Sequence, residues 1–487
     1  MPIEIPTLNL VALAPQIVLV VTVILVMLFD MFVTDKRVMG YVSLLGLGLA
    51  ALVCVSMLGR PAQAIQTMAV SDGYSLILNL VFITTAALSI LIALSYLGDH
   101  GMQRGEYYTL LLFSTIGMML MGAATDLIVV FLGLEIMSIA LYVLAAFNRH
   151  QLSSGEAGMK YFVLGAFASA FFLYGVALLY GASGSTNLQA IGAWFTPARG
   201  NLHDPLALVG IGMLLIGFGF KVAAVPFQWW TPDVYHGAPT SVTAFMSVGA
   251  KAAGFAALIR ILMVSFGQVF TLDWQIAVAA LAFVTMTGGN IAALAQRDVK
   301  RMLAYSSIAH AGYILVGVAA ASTTGVRAVL FYLMAYAFMN IGAFTVIAVL
   351  ERRGAVGSAI DDYAGLSRHQ PFLALAMALF MFSLTGIPPF VGFWGKLYVF
   401  SAAAEANLSW LAIVGVINSA ISAFYYVGVV VQMYMHQPTD VESPAEAAPI
   451  NLTMPITVTL AAAAFVTVLL GVWPTPLVNL AALGIFG

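Results

Sequence analysis

Long runs of apolar residues follow one another along almost the whole chain and constrain its fold more than any other feature. A helix that crosses the hydrocarbon core of a bilayer needs roughly 20 predominantly apolar residues, and fourteen segments of this sequence meet that requirement. They lie near residues 10–33, 39–58, 74–97, 107–124, 126–147, 158–180, 205–225, 240–266, 273–295, 299–320, 325–350, 371–402, 409–434 and 452–473. The sequence therefore predicts an all-α, polytopic membrane protein of about 14 transmembrane helices.

The composition agrees with that class and excludes several others. Of the 487 residues, 62% are hydrophobic and only 8% are charged, whereas an ordinary soluble domain carries about 25% charged residues. A net charge of −2 indicates no basic surface for nucleic acid. The single cysteine, Cys54, cannot supply the roughly four thiolates of an iron–sulfur cluster, so no cofactor is predicted in this chain. Residues 1–4 lack the basic region of a cleavable signal peptide, which predicts that the first helix is retained.

The distribution of the 18 basic residues tests the helix count and predicts the topology. Most of them lie in odd-numbered loops or at the neighbouring helix ends: Lys36, Arg37, Arg104, Arg149, Lys160, Arg297, Lys300, Arg301, Arg352, Arg353 and Arg368. Four lie on the even side: Arg60, Arg199, Arg260 and Arg327. Because cytoplasmic loops carry an excess of lysine and arginine, odd loops are predicted in the cytoplasm. A multi-pass protein of the bacterial inner membrane, with both termini outside the cytoplasm, is the expected result.

Ionisable residues inside the predicted spans are the candidates for function. Glu135 lies nine residues from the outer end of its helix and Lys251 eleven residues into its own, which places them about 13 and 16 Å deep. A charge at that depth costs on the order of 3 kcal/mol and is retained where it faces the bundle interior. Such groups usually belong to ion pathways, although a structural ion pair is the alternative. Lys160, one turn from a helix end, can equally snorkel to the interface.

Two further lysines lie beside predicted helix breaks. Lys221 precedes Pro226, and Lys396 follows Pro388 and Pro389. Proline removes a backbone donor and interrupts a helix, and interrupted helices at membrane depth are tolerated around buried protein or watered cavities. Transporters build ion sites in this way. The alternative is a proline kink with an incidental lysine beside it.

A histidine and a repeated spacing complete the pattern. His310 lies in the middle of its span beside two serines, and its imidazole suits a relay, although a hydrogen-bonded packing role is equally compatible. The separation of Glu135 from Lys221 equals that of His310 from Lys396, an agreement that can be partly accidental. Two inverted five-helix repeats with two broken helices are predicted. The expected division is helices 1–3 in residues 1–106, a first repeat in 107–266, a second in 273–434, and a C-terminal loop, helix and tail in 435–487.

Several motifs resemble one family over nearly the whole chain. The longest runs from Phe220 to Phe255 and reads FKVAAVPFQWWTPDVYHGAPTSVTAFMSVGAKAAGF; shorter ones are EAGMKYF at 156–162, DVKRMLAYSS at 298–307 and LTGIPPFVGFWGK at 384–396. They resemble the antiporter-like subunits of respiratory complex I, the proton-translocating NADH:quinone oxidoreductase, and fit its N-type members best. Gln228 and His236 depart from residues common in that family, so an essential histidine at the first position is not expected here.

The resemblance implies a role for each buried group. Glu135 is implied as a carboxylate paired with Lys221, and Lys251 as the central relay. Lys396 is implied as the last carrier, reached through His310. Lys160 matches a family lysine that modulates the first pair. The hypothesis is that opening the Glu135–Lys221 pair releases a proton that travels through Lys251 to Lys396, from the cytoplasm to the opposite side.

The resemblance also predicts the assembly. The chain is expected to translocate protons as a membrane-arm subunit, driven by quinone reduction in partner subunits that carry the quinone, NADH, FMN and iron–sulfur clusters. Expected neighbours are an M-like antiporter subunit, small K- and J-type subunits, the lateral helix of an L subunit and the lipid bilayer, with no nucleic acid. A gradient-driven Mrp-type cation/proton antiporter subunit is the alternative, and a passive membrane scaffold is a third reading.

Overall fold

Helices make up nearly all of the regular structure in the computed structural model, which describes residues 9–64, 68–195, 204–266, 271–351, 358–437, 452–484 and 486. The helices of the first part of the chain are α1 (Ala14–Phe32), α2 (Arg37–Met57), α3 (Gly73–Asp99), α4 (Gly105–Ala123), α5 (Leu127–Ala145), α6 (Leu152–Ser183), α7 (Leu188–Trp194), α8 (Pro205–Val222), α9 (Trp230–Gly237) and α10 (Thr240–Ile261). The later ones are α11 (Thr271–Leu294), α12 (Val299–Ala319), α13 (Thr323–Glu351), α14 (Leu366–His369), α15 (Pro371–Thr385), α16 (Val391–Glu405), α17 (Ser409–Met435), α18 (Met454–Val472) and α19 (Thr475–Ala482).

Twelve of the described helices are long and apolar enough to cross a membrane. They coincide with twelve of the predicted segments, while α4 and the α15–α16 pair occupy the other two. The all-α polytopic class is therefore confirmed, and the number of fourteen crossings stays a prediction. The short strands β1 (Ala62–Ala64) and β2 (Ala69–Ser71), which pair antiparallel, were not foreseen. The short helices α9 and α19 also lie outside the predicted segments.

Three helices form the centre of the molecule. In their most apolar stretches, α10 is entirely buried and α12 and α13 are 94% buried, whereas α1, α2 and α6 are 39% buried and α17 and α18 are 33% buried. Large apolar side chains are exposed on those outer helices, as a lipid-facing surface requires. Lys251 lies on α10 and His310 on α12. The central helices pack against α5, α8 and α16, which carry Glu135, Lys221 and Lys396.

Helices α5 and α12 begin with the same local structure. Asp126 caps α5 by accepting from the backbone N–H of Ile128 at 2.8 Å, and Asp298 caps α12 by accepting from that of Arg301 at 2.7 Å. Each aspartate also forms an isolated β-bridge to a later loop and accepts a hydrogen bond from a hydroxyl there, that of Thr186 and of Ser358 respectively. In both cases the hydroxyl residue follows its aspartate by 60 residues. The two caps therefore occupy equivalent positions.

The two predicted helix breaks are confirmed and share one backbone path. Between α8 and α9 the chain passes through Ala223, in the left-handed region at φ 60°, and the cis Val225–Pro226 bond. Between α15 and α16 it passes through Gly386, at φ 90°, and the cis Pro388–Pro389 bond. A left-handed residue is followed three positions later by a proline at both breaks, so each broken helix ends in the same way.

A buried ion pair ties α3 to α10 and was not foreseen. Arg260, assigned to the even side with the other basic residues, lies in the last turn of α10 with its side chain 2% exposed. It binds Asp72, the residue that caps α3, through two hydrogen bonds of 2.8 and 2.9 Å. Three residues of the charge count, Arg199, Arg352 and Arg353, and the signal-peptide prediction for residues 1–4 lie outside the described residues.

Candidate functional site

Lys221 lies in the last turn of α8, and its side chain is buried. Its ammonium donates a hydrogen bond to the hydroxyl of Ser138 at 2.6 Å. Ser138 lies one turn beyond Glu135 on α5, and its hydroxyl donates in turn to the backbone carbonyl of Leu134. Among the described residues, no oxygen of Glu135 lies within 4.0 Å of the Lys221 ammonium. The lysine of the pair that the resemblance implied is therefore bonded to a hydroxyl here and not directly to the carboxylate.

Glu135 is held from the other side by α6. The hydroxyl of Ser169 donates to its Oε1 at 2.5 Å, and the residue is half-buried. The rings of Tyr142 and Tyr161 lie 5.6 Å from the Lys221 ammonium, where an aromatic face attracts a cation. Glu135 and Lys221 are therefore brought to one place, with hydroxyl and aromatic groups around them.

Lys251 is buried on the central helix α10. Its ammonium donates to the backbone carbonyl of Ser307 at 2.5 Å and also to the hydroxyl of that serine. One turn further along α10 lies Gly254, where an added Cβ would stand 3.4 Å from the Cβ of Lys221. The stem of Lys221 therefore packs on the face of α10 that carries Lys251.

His310 is bonded at both ring nitrogens. Its Nδ1 lies 2.6 Å from the hydroxyl of Tyr332 on α13, and its Nε2 lies 3.0 Å from the hydroxyl of Tyr426 on α17. The imidazole is 1% exposed. His310 thus lies on the same helix as Ser307, the acceptor for Lys251, and connects α12 to two further helices.

Lys396 lies in α16 but reaches back across the break. Its ammonium donates to the carbonyl of Thr385, the last residue of α15, at 2.8 Å, and lies 4.7 Å from the ring of Tyr313. The C-terminus of a helix carries a partial negative charge and unpaired carbonyls. Lys221 also lies in the last turn of a half-helix, α8, although its ammonium binds Ser138 and not a carbonyl of that helix. Both lysines therefore lie at the negative end of a half-helix.

Glu135 and Lys221 are as far apart in the sequence as His310 and Lys396, but the members of the two pairs do not occupy equivalent positions. Counted along the chain from the left-handed residue of each break, Lys396 corresponds to Asp233 and not to Lys221. Counted from the aspartates that cap α5 and α12, Glu135 corresponds to Ser307, and Ser138 corresponds to His310. The equal spacing is therefore partly accidental, because Lys221 precedes its break and Lys396 follows its own.

Lys160 lies outside this buried group. Its side chain is 40% exposed and forms ion pairs with Glu156 at 2.6 Å and Asp233 at 2.8 Å. Arg301 binds the other carboxylate oxygen of Asp233 at 2.8 Å. Partial burial favours the neutral form of Asp233, but these hydrogen bonds outweigh it and hold its pKa below the ordinary value. Lys160 is about 13 Å along α6 from Ser169, the partner of Glu135.

Sequence reasoning missed the hydroxyl and carbonyl partners of the charged groups. These are Ser138, Ser169, Ser307, Tyr332, Thr385 and Tyr426. Only Ser138 had a usable signal, since a serine one turn after a buried carboxylate shares its helix face. The described residues contain no group of three or more His, Cys, Asp or Glu side chains suited to a metal ion.

Comparison with known proteins gives a consistent result. The family model for the NADH:quinone oxidoreductase/Mrp antiporter transmembrane region matches residues 124–422. NADH-quinone oxidoreductase subunit N of Trichlorobacter lovleyi is 46% identical over 98% of this chain and 96% of its own length.

Two solved structures resemble this one over nearly the full length. A chain of respiratory complex I from Thermus thermophilus, solved with bound aureothin, has a TM-score of 0.80 and 34% identity, covering 96% of this chain and 99% of its own. A chain of the Mrp complex from a Dietzia species has a TM-score of 0.87 but 22% identity, covering 98% of this chain and 97% of its own. The second likeness concerns the fold alone.

Proposed function

Since this chain belongs to the NADH:quinone oxidoreductase/Mrp antiporter family, we propose that its buried lysines and histidine carry protons through the membrane. Sequence identity separates the two branches of this family, whereas the fold is common to both. Relatives of 46% identity are N subunits of NADH-quinone oxidoreductase, and the Mrp chain shares 22% identity. The chain accordingly acts as a membrane-arm subunit of a proton-translocating NADH:quinone oxidoreductase and contributes to that enzyme's proton translocation.

One observation carries the proposed route. Lys221, Lys251 and Lys396 are each 5% exposed or less, and among the described residues each ammonium is hydrogen-bonded to a hydroxyl or carbonyl, not to a carboxylate. A structural ion pair would supply a full counter-charge to offset the cost of burial. Lysines held by neutral acceptors can lose a proton without leaving an unpaired anion, which is what a carrier requires.

The route we propose has three stages. Protonated Lys221 loses its proton when a change at Glu135, set by neighbouring subunits, weakens the electrostatic attraction between the carboxylate and the ammonium. The proton passes to Lys251, on whose helix the stem of Lys221 packs. It then moves past His310 to Lys396, the last carrier, and leaves on the side opposite to uptake. We assign Lys160 a modulating role at the cytoplasmic end, through its contact with Asp233.

The test is to replace Glu135 and Lys221 separately by alanine in the complete complex. Each variant should transfer electrons to quinone with fewer protons moved per electron, because the first carrier or its switch is gone. Lys36→Ala is the matched control, since that lysine is paired with Asp30 and its side chain is 30% exposed. Assembly is checked by the amount of the chain in the purified complex. Unchanged proton-to-electron ratios in both variants would reject the route.

The finer setting of the chain is also part of the proposal. We place it in the bacterial inner membrane with both termini outside the cytoplasm, on the strength of the basic residues in odd loops. Its neighbours would be an M-like antiporter subunit, K- and J-type subunits and the lateral helix of an L subunit. The α5 surface beside Glu135 supports a covering partner there, since Leu132 and Ile139 are more than half exposed. Quinone, NADH, FMN and iron–sulfur clusters would belong to partner subunits.

The two repeats are proposed with the boundaries given above, residues 107–266 and 273–434. The matching caps of α5 and α12 and the matching breaks after α8 and α15 support them. An odd number of helices per repeat would invert the second copy relative to the first.

A further inference from the structure

The imidazole of His310 is held between two phenolic hydroxyls. Tyr332 approaches Nδ1 at 2.6 Å from α13, and Tyr426 approaches Nε2 at 3.0 Å from α17. All three side chains are buried. A neutral imidazole has one donor and one acceptor nitrogen, so one of the two tyrosines donates to the ring while the other accepts from it. The three groups therefore form a directional chain of hydrogen bonds.

The Tyr426 end of this chain leads toward Lys251. The hydroxyls of Tyr426 and Ser306 are hydrogen-bonded to each other. Ser306 directly precedes Ser307, whose carbonyl and hydroxyl accept from the Lys251 ammonium. Only one peptide unit of α12 separates the two serine positions.

The other end leads toward Lys396. The ring of Tyr332 lies against Gly395, where an added Cβ would stand 3.1 Å from its Cδ2. Gly395 is the residue before Lys396 on α16. The same imidazole also meets the ring of Tyr313 edge-on, with ring centres 5.7 Å apart, and Tyr313 lies beneath the Lys396 ammonium. His310 thus occupies the space between the two lysines.

We propose that Tyr426, His310 and Tyr332 form a proton relay between the Lys251 and Lys396 sites. This proposal rests on the proposed function and adds two tyrosines to it. In one transfer, the O–H bond of Tyr426 breaks as an Nε2–H bond forms, and the Nδ1–H bond breaks as its proton joins the oxygen of Tyr332. Tyr426 regains a proton from Ser306, which is resupplied from the protonated Lys251 site, and Tyr332 gives its extra proton to neutral Lys396, so both hydroxyls are restored. The imidazole is left in its other tautomer, which must be reset before the next transfer.

The relay is tested with Tyr332→Phe, Tyr426→Phe and the double variant in the complete complex. Each single variant should lower the number of protons moved per electron as much as Lys251→Ala does, because the same route is cut. Tyr107→Phe is the matched control. That tyrosine is also buried, but its hydroxyl donates to Ser241 at 2.9 Å and not to His310 or its two tyrosine partners.

The double variant separates a relay from a packing role. If both tyrosines belong to one proton pathway, the double variant should lose no more proton pumping than a single variant. If they act only in packing, the two losses of pumping should add. Normal pumping by both tyrosine variants, with pumping lost in Lys251→Ala, would overturn the relay and leave the proposed function standing. Normal pumping in Lys251→Ala as well would overturn the function itself. If one tyrosine variant fails to assemble, the other decides by the same comparison.

Discussion

The buried Arg260–Asp72 pair makes a quantitative prediction about stability. Both side chains are at most 2% exposed, and the guanidinium binds both carboxylate oxygens and the carbonyl of Gly122. Removing one member of such a pair leaves an uncompensated charge in a low-dielectric interior, which costs about 3–5 kcal/mol. Arg260→Met and Asp72→Asn should each destabilise the protein by that amount.

The double variant should be more stable than the sum of the two singles implies. With both charges removed, no unpaired ion remains, and methionine refills the space beside the ring of Tyr74 that the guanidinium occupied. Asparagine at position 72 can still accept from the backbone N–H of Ser75 and keep the cap of α3. The coupling energy between the two sites should therefore be on the order of 2 kcal/mol.

The assay is the rate of thermal inactivation of the solubilised complex at a fixed temperature, because large assemblies unfold irreversibly. The order of half-lives should be wild type, the two single variants, then the double variant, with the double variant lasting longer than the sum of the two single losses predicts. Lys36→Met serves as the control, since its partly exposed pair with Asp30 is worth less than about 1 kcal/mol. Strictly additive losses in the double variant would refute the argument from uncompensated charge.

Two further predictions concern the lysines. Ser138→Ala removes the acceptor of the Lys221 ammonium and should lower proton pumping per electron while the complex still assembles; Ser43→Ala, which removes another buried serine hydroxyl, should not. Gly386→Ala should also lower pumping, because the added Cβ would lie 2.9 Å from Cδ of Lys396 and the residue has a left-handed backbone. Ala223→Gly changes the equivalent residue of the other break and should be tolerated. Normal proton-to-electron ratios in Ser138→Ala and Gly386→Ala would contradict these predictions.

The helices and their breaks were predictable because both depend on short-range properties of the chain. Runs of apolar residues determine where a span can lie, and proline interrupts a helix wherever it falls in the interior. Every predicted segment coincides with a helix or a helix pair. The pair of strands near residues 62–71 was missed, since three-residue strands carry no periodic signal.

The partners of the charged residues could not be predicted, because they are set by distant parts of the chain. Lys251 meets Ser307, 56 residues away, and Lys221 meets Ser138, 83 residues away. A serine or threonine in a span usually bonds to its own helix, as Ser43 does to Met39. Nothing in the sequence distinguishes such a residue from one that faces a lysine on another helix.

The backbone breaks explain why two unlike positions serve the same purpose. A continuous helix uses its carbonyls internally, so a buried ammonium beside it finds few acceptors. Ending α8 at Val222 and α15 at Thr385 exposes the negative ends of two half-helices inside the molecule. Lys221 lies in the last turn at one end, with its ammonium bonded to Ser138 of α5, and Lys396 binds a carbonyl at the other end by folding back from α16. The shared requirement is therefore a half-helix C-terminus near each lysine, and the position of the lysine in sequence is secondary.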